Sequence, residues 1–318
     1  MRPRTNERLA SILFAATFAV ASAACGGDDE ESAALETIRL GSIPVAVAYG
    51  EDGVWVANFD GDTVVRVDPD SRNVTATIPV GNGPQALAAG AGAVWVANMF
   101  DATVTRIDPR SARVVGGPIP VGERPMAVAV GAGSVWVFNA GESTLTRIDP
   151  SSGTVVSTSP PLVGRPAGNA DYAGLVVAGS SVWVSSPGDG TVVRVDADTG
   201  RRLGRPIEVS AGPAGVAASR NAVWVASLDT GVVTRIDVRT GRIAATVRLG
   251  GRPAALAATA EAIWVADASG SAVRIDPASN LVDGEPVSVG PNALAIAYGA
   301  GAAWVVSQLD NTLIRIGG

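Results

Sequence analysis

The sequence contains no histidine and no lysine, and only one cysteine among its 318 residues. Without histidine, the chain cannot build a Ser-His-Asp or Cys-His catalytic arrangement or a histidine-ligated metal site. A single cysteine excludes an internal disulfide. All 24 basic residues are therefore arginine, and the formal net charge is −6. An acidic chain of this kind lacks the basic surface of a nucleic-acid-binding protein, so we expect no nucleic-acid partner.

The first 24 residues have the composition of a secretory leader. Three arginines fall within the first eight positions, and an apolar stretch of 16 residues follows at 9–24. This stretch is shorter than the roughly 20 residues that span a bilayer. The sequence Ser-Ala-Ala-Cys-Gly at 22–26 resembles a bacterial lipobox, which implies that Cys25 is lipidated and becomes the first mature residue. We predict a lipoprotein signal peptide at 1–24, with ordinary cleaved secretion and an uncleaved anchor as alternatives.

Residues 25–36 combine glycines with four consecutive acidic side chains at 28–31. Such a composition is typical of a solvated tether. A lipid on Cys25 would therefore hold the rest of the chain at the outer face of the bacterial cytoplasmic membrane, and this is the localisation that we expect.

Seven tryptophans mark seven repeats of the sequence, at intervals of 40 to 47 residues: Trp55, Trp95, Trp136, Trp183, Trp224, Trp264 and Trp304. A period in this range is typical of one four-stranded propeller blade. Each repeat holds four short runs rich in Val, Ile and Thr, separated by Gly, Pro, Asp and Asn. The sequence therefore predicts an all-β, seven-bladed β-propeller over residues 37–318, with almost no helix.

The ends of the repeat array predict how the ring closes. Residues 37–41 match the end of a repeat, as at 77–81, whereas the last repeat stops after its third strand at 312–316. Pairing the N-terminal strand with the last three strands would complete the seventh blade and remove two exposed sheet edges. We expect this one-plus-three clasp.

Two further positions recur with the tryptophan. An arginine follows ten or eleven residues after it, and in six of the seven repeats an aspartate comes two residues later, as at Arg106 and Asp108. Residues two apart share a strand face, so an ion pair between them is one expectation. The aspartate is also expected to bond the backbone of the turn that it opens. The tryptophans themselves are expected to fill the core between blades.

Strand alternation brings the loops between second and third strands to the same rim as the loops between blades. The residue three after each tryptophan is small and polar at this rim: Asn58, Asn98, Asn139, Ser186, Ser227, Asp267 and Ser307. Acids recur in the same loops: Asp60, Asp62, Asp101, Glu142, Asp189, Asp229, Asp267 and Asp310. Arg124, Arg165 and Arg252 precede prolines in the inter-blade loops. This rim is the candidate binding surface, although turn formation alone also explains its polar residues.

Two places in the rim stand out. Asn58, Asp60 and Asp62 loosely resemble the start of an oxygen-ligand calcium loop but lack its distal glutamate, so a divalent cation is a secondary hypothesis. The long interval before Trp183 inserts residues 168–172, and irregularities in regular arrays often carry function. Arg165, Asp171 and Tyr172 therefore form the candidate binding patch, with a tolerated surface insertion as the alternative.

The repeats have the form P-x-A-L-A-x-G-x-G-x-V-W-V-A-N followed by D-x-T-V-x-R-I-D-P. This form resembles the YVTN-type bacterial propellers and the related streptogramin B lyase propellers, over essentially residues 37–318. The resemblance implies the propeller fold. In the lyase branch it also implies a histidine base with a magnesium ion, and the absence of histidine here means that no catalytic residue can be assigned.

We therefore predict a lipid-anchored, extracytoplasmic propeller that acts as a non-catalytic recognition or scaffold module, because a fold by itself implies no chemistry. An envelope or secreted protein is the expected partner, and a monomer the expected state. The alternatives are a lyase-like enzyme that lacks the usual histidine and a sensor domain for a small extracellular ligand. No cofactor is expected apart from the possible cation.

Overall fold

The computed structural model describes residues 35–41, 43–163 and 173–317. Within these ranges the chain contains strands and turns and no helix, and the strands form seven separate sheets. The described part accordingly has no helix long and apolar enough to cross a membrane. The predicted all-β, seven-bladed propeller is confirmed.

The strands are numbered here in chain order. Blade 1 holds β2 (Pro44–Gly50), β3 (Gly53–Asn58), β4 (Thr63–Val67) and β5 (Val74–Pro79). Blade 2 holds β6 (Pro84–Gly90), β7 (Ala93–Asn98), β8 (Thr103–Asp108), β9 (Arg113–Val114) and β10 (Ile119–Pro120). Blade 3 holds β11 (Pro125–Gly131), β12 (Ser134–Asn139), β13 (Thr144–Ile148) and β14 (Val155–Thr158). Blade 4 holds β15 (Leu175–Ala178), β16 (Ser181–Ser186), β17 (Thr191–Asp196) and β18 (Ile207–Glu208).

Blade 5 holds β19 (Pro213–Ser219), β20 (Ala222–Ser227), β21 (Val232–Asp237) and β22 (Ile243–Arg248). Blade 6 holds β23 (Pro253–Ala258), β24 (Ile263–Asp267), β25 (Ser271–Asp276), β26 (Leu281–Val282) and β27 (Val287–Ser288). Blade 7 holds β28 (Ala293–Gly299), β29 (Ala302–Ser307), β30 (Thr312–Gly317) and the N-terminal β1 (Leu35–Arg39). All pairings within the blades are antiparallel, and the first strands of neighbouring blades contact one another around the axis.

The clasp predicted for blade 7 is confirmed. β1 pairs antiparallel with β30, from Leu35 opposite Ile316 to Arg39 opposite Thr312. It begins two residues earlier than the N-terminal strand expected from the sequence. Leu40, directly after β1, is only 2% exposed and packs in the cluster that contains Trp304. Closure therefore buries apolar surface as well as completing the strand ladder.

The second strand of each blade is the best-buried part of the molecule. Every residue of β3, β7, β12, β16, β20 and β29 is buried, and so is every residue of the shorter β24. The tryptophans at their centres are at most 1% exposed in six blades, and Trp264 is 6% exposed. Both faces of these strands meet neighbouring blades, as the clusters around Trp55 and Trp95 show. The predicted role of the tryptophans as inter-blade core is confirmed.

In six of the seven blades the recurring arginine stacks on the tryptophan of its own blade. The two are cross-strand partners, as at Trp95 and Arg106. In six blades the guanidinium carbon lies 5.1 to 5.9 Å from the ring centroid, a cation–π distance. The expected ion pair with the aspartate two residues later is wrong, because in these six blades the arginine lies over the ring instead. In blade 6, Arg274 instead donates from Nε to Asp283 at 2.8 Å.

The recurring aspartates cap turns, as predicted. Six of them accept hydrogen bonds from backbone N–H groups two or three residues later: Asp68, Asp108, Asp149, Asp196, Asp237 and Asp276. These bonds favour the charged form and lower the pKa of each carboxyl. For Asp149, hydrogen bonds from Ser151 and Ser152 lower the pKa to about 2.

The fourth strands of blades 2, 4 and 6 are broken or short, although the sequence predicts one continuous run at 114–121 in blade 2. Each contains a glycine followed two residues later by proline. Gly116, Gly204 and Gly284 have φ of 77°, 74° and 78°, and the prolines lack a donor for the ladder. The outer edge of the disc is therefore less regular than its inner strands.

Leu40→Ala should destabilise the protein by about 2 to 5 kcal/mol, the usual cost of truncating a buried leucine. Leu35→Ala is the matched control, because Leu35 lies on the same clasp segment but is 49% exposed. Chemical denaturation of both variants measures the difference. Equal stability of the two would show that the clasp adds no buried contact.

The turn of Asp149 should weaken as the pH falls from about 4 to about 2. The folded-state pKa of about 2 lies below the ordinary value of 3.8, so the ionised form stabilises the folded state above that range and the contribution disappears through it. NMR titration of the Asp149 carboxyl should give a midpoint near 2. Stability of Asp149→Asn should depend less on pH in this window. A midpoint near 3.8 would contradict the assigned hydrogen bonds.

Candidate functional site

The two faces of the disc carry different loops. On the rim face lie the loops between second and third strands and the loops between blades. On the hairpin face lie the loops between first and second strands and between third and fourth strands. β1 starts at the hairpin face, because Leu35 pairs with Ile316 at the far end of β30. It ends at the rim face, where the Leu40 N–H donates to the carbonyl of Asn311 at 2.8 Å.

The small polar residues three after each tryptophan lie at the rim face but are buried, all at 4% exposure or less. In blades 2 and 3 the asparagine amides donate to threonine hydroxyls of the third strand, as from Asn98 to Thr105 at 2.9 Å. Ser227 and Ser307 donate to inter-blade carbonyls at 3.1 and 3.0 Å. These side chains hold loops together and do not form an exposed ring around the mouth.

Several rim acids bond the backbone of the inter-blade loops. Asp101 accepts from the N–H of Asn82 at 2.7 Å, and Asp62 accepts from Gly83 at 2.8 Å. Asp267 accepts from the N–H of Arg252 at 2.9 and 3.0 Å. Carboxylates in such positions fix the loop conformation, which is the turn-forming role considered from the sequence.

Other rim acids lie against hydroxyls or glycines. Glu142 accepts from the Thr144 hydroxyl at 3.3 Å, Asp189 from Ser186 at 3.0 Å, and Asp310 from Ser307 at 3.5 Å. Asp229 packs on Gly212, where an added Cβ would lie 2.4 Å from its Oδ2. The close approach explains why a glycine occupies this position, which also has a φ of 68°.

The residues proposed for a divalent cation already have partial roles. Asn58 donates to the Thr63 hydroxyl at 3.4 Å, Asp62 accepts from Gly83, and Asp60 is exposed. The buried Oδ1 of Asn58 has no hydrogen-bond partner among the described residues. In the same part of the chain, no group of three or more carboxylate, histidine or cysteine side chains could hold a metal ion. The cation site stays a prediction.

Two of the basic rim residues, Arg124 and Arg252, directly precede first strands. Arg124 has a left-handed backbone with a φ of 52°, and its carbonyl accepts from the N–H of Ala140 at 2.9 Å. The carbonyl of Arg252 accepts from Ala268 in the same way at 2.9 Å. Three residues of the candidate patch and the lipidation site lie outside the described residues: Arg165, Asp171, Tyr172 and Cys25.

An apolar arc on the rim face was missed by the sequence reasoning. It comprises Ile43, Phe59, Phe100 and Leu309, on the consecutive blades 7, 1 and 2. Phe100 is 62% exposed and Leu309 67%. The rings of Phe59 and Phe100 meet edge to face, with centroids 5.5 Å apart. The Phe59 N–H donates to the carbonyl of Ile43 at 2.8 Å, which continues the arc toward the start of β2.

Alignment on the tryptophans would have revealed Phe100 and Leu309, although not Phe59, because blade 1 has Asp60 at the equivalent position. Phe100 and Leu309 both lie five residues after a tryptophan, where blades 3 to 6 have Gly141, Gly188, Asp229 and Ser269. Single exposed leucines are ordinary on protein surfaces, whereas adjoining exposed aromatic and aliphatic side chains are typical of contact surfaces.

An axial cavity of about 200 Å³ opens near the same mouth. Its lining comes from the first strands of all seven blades and is mostly apolar, with Val45, Met126 and Leu294 beside Gln85. The volume is below the roughly 300 to 1,000 Å³ usual for small-molecule sites.

Solved structures with this architecture include enzymes and assemblies. A catalytically inactive virginiamycin B lyase variant from Staphylococcus aureus, solved with quinupristin, is 15% identical with a TM-score of 0.75, over 90% of this chain and 99% of that one. Hydrazine synthase from Kuenenia stuttgartiensis is 15% identical with a TM-score of 0.74, over 88% and 97%. A mitotic checkpoint complex chain is 13% identical with a TM-score of 0.77, over 97% and 99%.

Neither a protein-family model nor a curated protein matches the chain. Identities at this level show a shared propeller fold and carry no information on activity.

Proposed function

We propose that this chain is a lipid-tethered, extracytoplasmic recognition propeller that binds an envelope or secreted protein through its rim face. The apolar arc is the observation that carries the proposal. Ile43, Phe100 and Leu309 are exposed on the rim face, and Phe100 contacts the half-buried ring of Phe59. Asp62 and Asp101 beside them are held by loop hydrogen bonds. An aromatic centre with a polar surround is the usual anatomy of a protein contact surface.

The direction of β1 supports a rim face that points away from the membrane. The chain enters the disc at the hairpin face, because Leu35 lies opposite Ile316. A membrane tether that precedes Leu35 would therefore join the disc on the hairpin face. The rim face, with the apolar arc, would point away from the membrane toward a partner.

The two other functions considered have less support. A lyase-like reaction with a histidine base has no counterpart in a chain without histidine. A small-ligand sensor would use the axial cavity, whose apolar lining suits a compact apolar ligand but whose volume of about 200 Å³ is small. Recognition through the rim requires neither a catalytic group nor a deep pocket.

The proposal is tested by site-specific photo-crosslinking of the full chain in intact envelopes. A photoreactive phenylalanine analogue in place of Phe100 should give one discrete protein adduct. The same analogue in place of Leu281 should not, although Leu281 is 65% exposed on the outer edge of blade 6.

Leu309→Asp should reduce the adduct at position 100 by roughly tenfold or more, since an anchor side chain in an interface is usually worth about 2 kcal/mol or more. Leu281→Asp is the matched control and should leave the adduct unchanged. Adducts of equal yield at both positions, or none at position 100, would contradict recognition through the arc.

A further inference from the structure

A second cavity, of about 450 Å³, lies on the hairpin face between blades 4 and 5. We call it the interblade pocket. Its volume falls within the usual range for small-molecule sites. Arg194 reaches it from β17, Arg220 from the hairpin between β19 and β20, and Arg239 from the turn after β21. Three arginines from three separate chain segments thus line one cavity.

Arg194 differs from its equivalents in the other blades. The terminal nitrogens of Arg106, Arg147 and Arg235 donate to turn carbonyls of the next blade at 3.0 to 3.3 Å. Arg194 donates from Nε to the Ser181 hydroxyl at 2.9 Å and stacks on Trp183. Its terminal nitrogens have no acceptor among the described residues. Arg194 therefore lines the pocket with donors that no described residue uses.

The other two arginines are also without acceptors in the part of the chain that the structure describes, and both are exposed. The only acid in the lining is Asp237, whose Oδ1 accepts from the backbone N–H and the hydroxyl of Thr240 at 2.7 Å each. Three arginines against one carboxylate leave the pocket with two positive charges in excess. The side chains of Ser180 and Asn221 add neutral polar groups.

This charge arrangement occurs in one blade of the seven. The two positions concerned are four residues before and fifteen residues after the tryptophan, and in blade 5 both are arginine. Blade 1 has Glu51 and Asp70 there, and blade 2 has Ala91 and Arg110. Since turn formation is satisfied by other residues in those blades, the fold itself does not require the arginine pair.

The geometry points to the interblade pocket as a binding site for a phosphate group, independent of recognition through the rim. Guanidinium forks bind phosphate oxygens bidentately, and charge-assisted bonds of this kind are strong. Three of them suit a ligand with several anionic oxygens better than a single carboxylate. The phosphate could belong to a lipid headgroup, since the pocket lies on the face where the chain enters the disc, or to a free phosphorylated solute.

Isothermal titration of the full chain in dodecyl maltoside, a detergent without phosphate, tests the site with inorganic phosphate as the probe. One saturable site is expected. The double variant Arg220→Ala, Arg239→Ala should weaken it by roughly tenfold or more, since hydrogen bonds to charged groups are each worth about 1.5 to 3 kcal/mol. Arg110→Ala is the matched control, because it removes an exposed arginine from the equivalent turn of blade 2, and it should bind like the parent.

A second titration in mixed micelles with phosphatidylglycerol separates the two sources. If the lipid headgroup occupies the site, the parent should bind phosphate more weakly in these micelles than in dodecyl maltoside alone. The double variant should not show this difference. That result would assign the site to a lipid headgroup. Unchanged affinity would assign it to a free phosphorylated solute. Absence of saturable phosphate binding, or equal weakening in Arg110→Ala, would overturn the proposal.

Discussion

Burial of the second strands on both faces is the constraint on which the structure depends. No blade can bury Trp95 or its equivalents alone, because each needs a neighbour on either side. A linear array would leave two such surfaces open, so the chain must form a closed ring. In six blades the arginine then stacks on the tryptophan and covers one face of the indole. The stability of each blade therefore depends on closure of the ring.

Closure by β1 also distinguishes the two faces. The N-terminal strand must run antiparallel to β30, which makes the chain enter at the hairpin face and reach the rim face at Leu40. The side chains that differ between blades also differ between the two faces. Exposed Phe100 and Leu309 lie on the rim face, and the three arginines of the interblade pocket lie on the hairpin face. A disc of nearly identical blades thereby acquires two different surfaces.

The fold was predictable from the sequence because the tryptophan recurs at a regular interval and the broken repeat at each end shows how the ring closes. The roles of single polar residues were less predictable from the sequence. Asn98 looked like a rim residue, yet it is buried against third-strand hydroxyls, since loop curvature cannot be read from spacing. Arg106 shares a strand face with Asp108 but stacks on the ring of Trp95 in the neighbouring strand. Arg220 and Arg239 of blade 5 line one cavity with Arg194 of blade 4 because the two blades pack together, and the sequence repeat does not show this packing.

In the proposed arrangement the disc turns its rim face away from the membrane. Fluorophores attached at Ser152→Cys on the hairpin face and at Ser269→Cys on the rim face, both exposed positions, test it in vesicles that contain nitroxide-labelled lipid. We expect stronger quenching at position 152 than at position 269 in the full chain. Stronger or equal quenching at position 269 would contradict it.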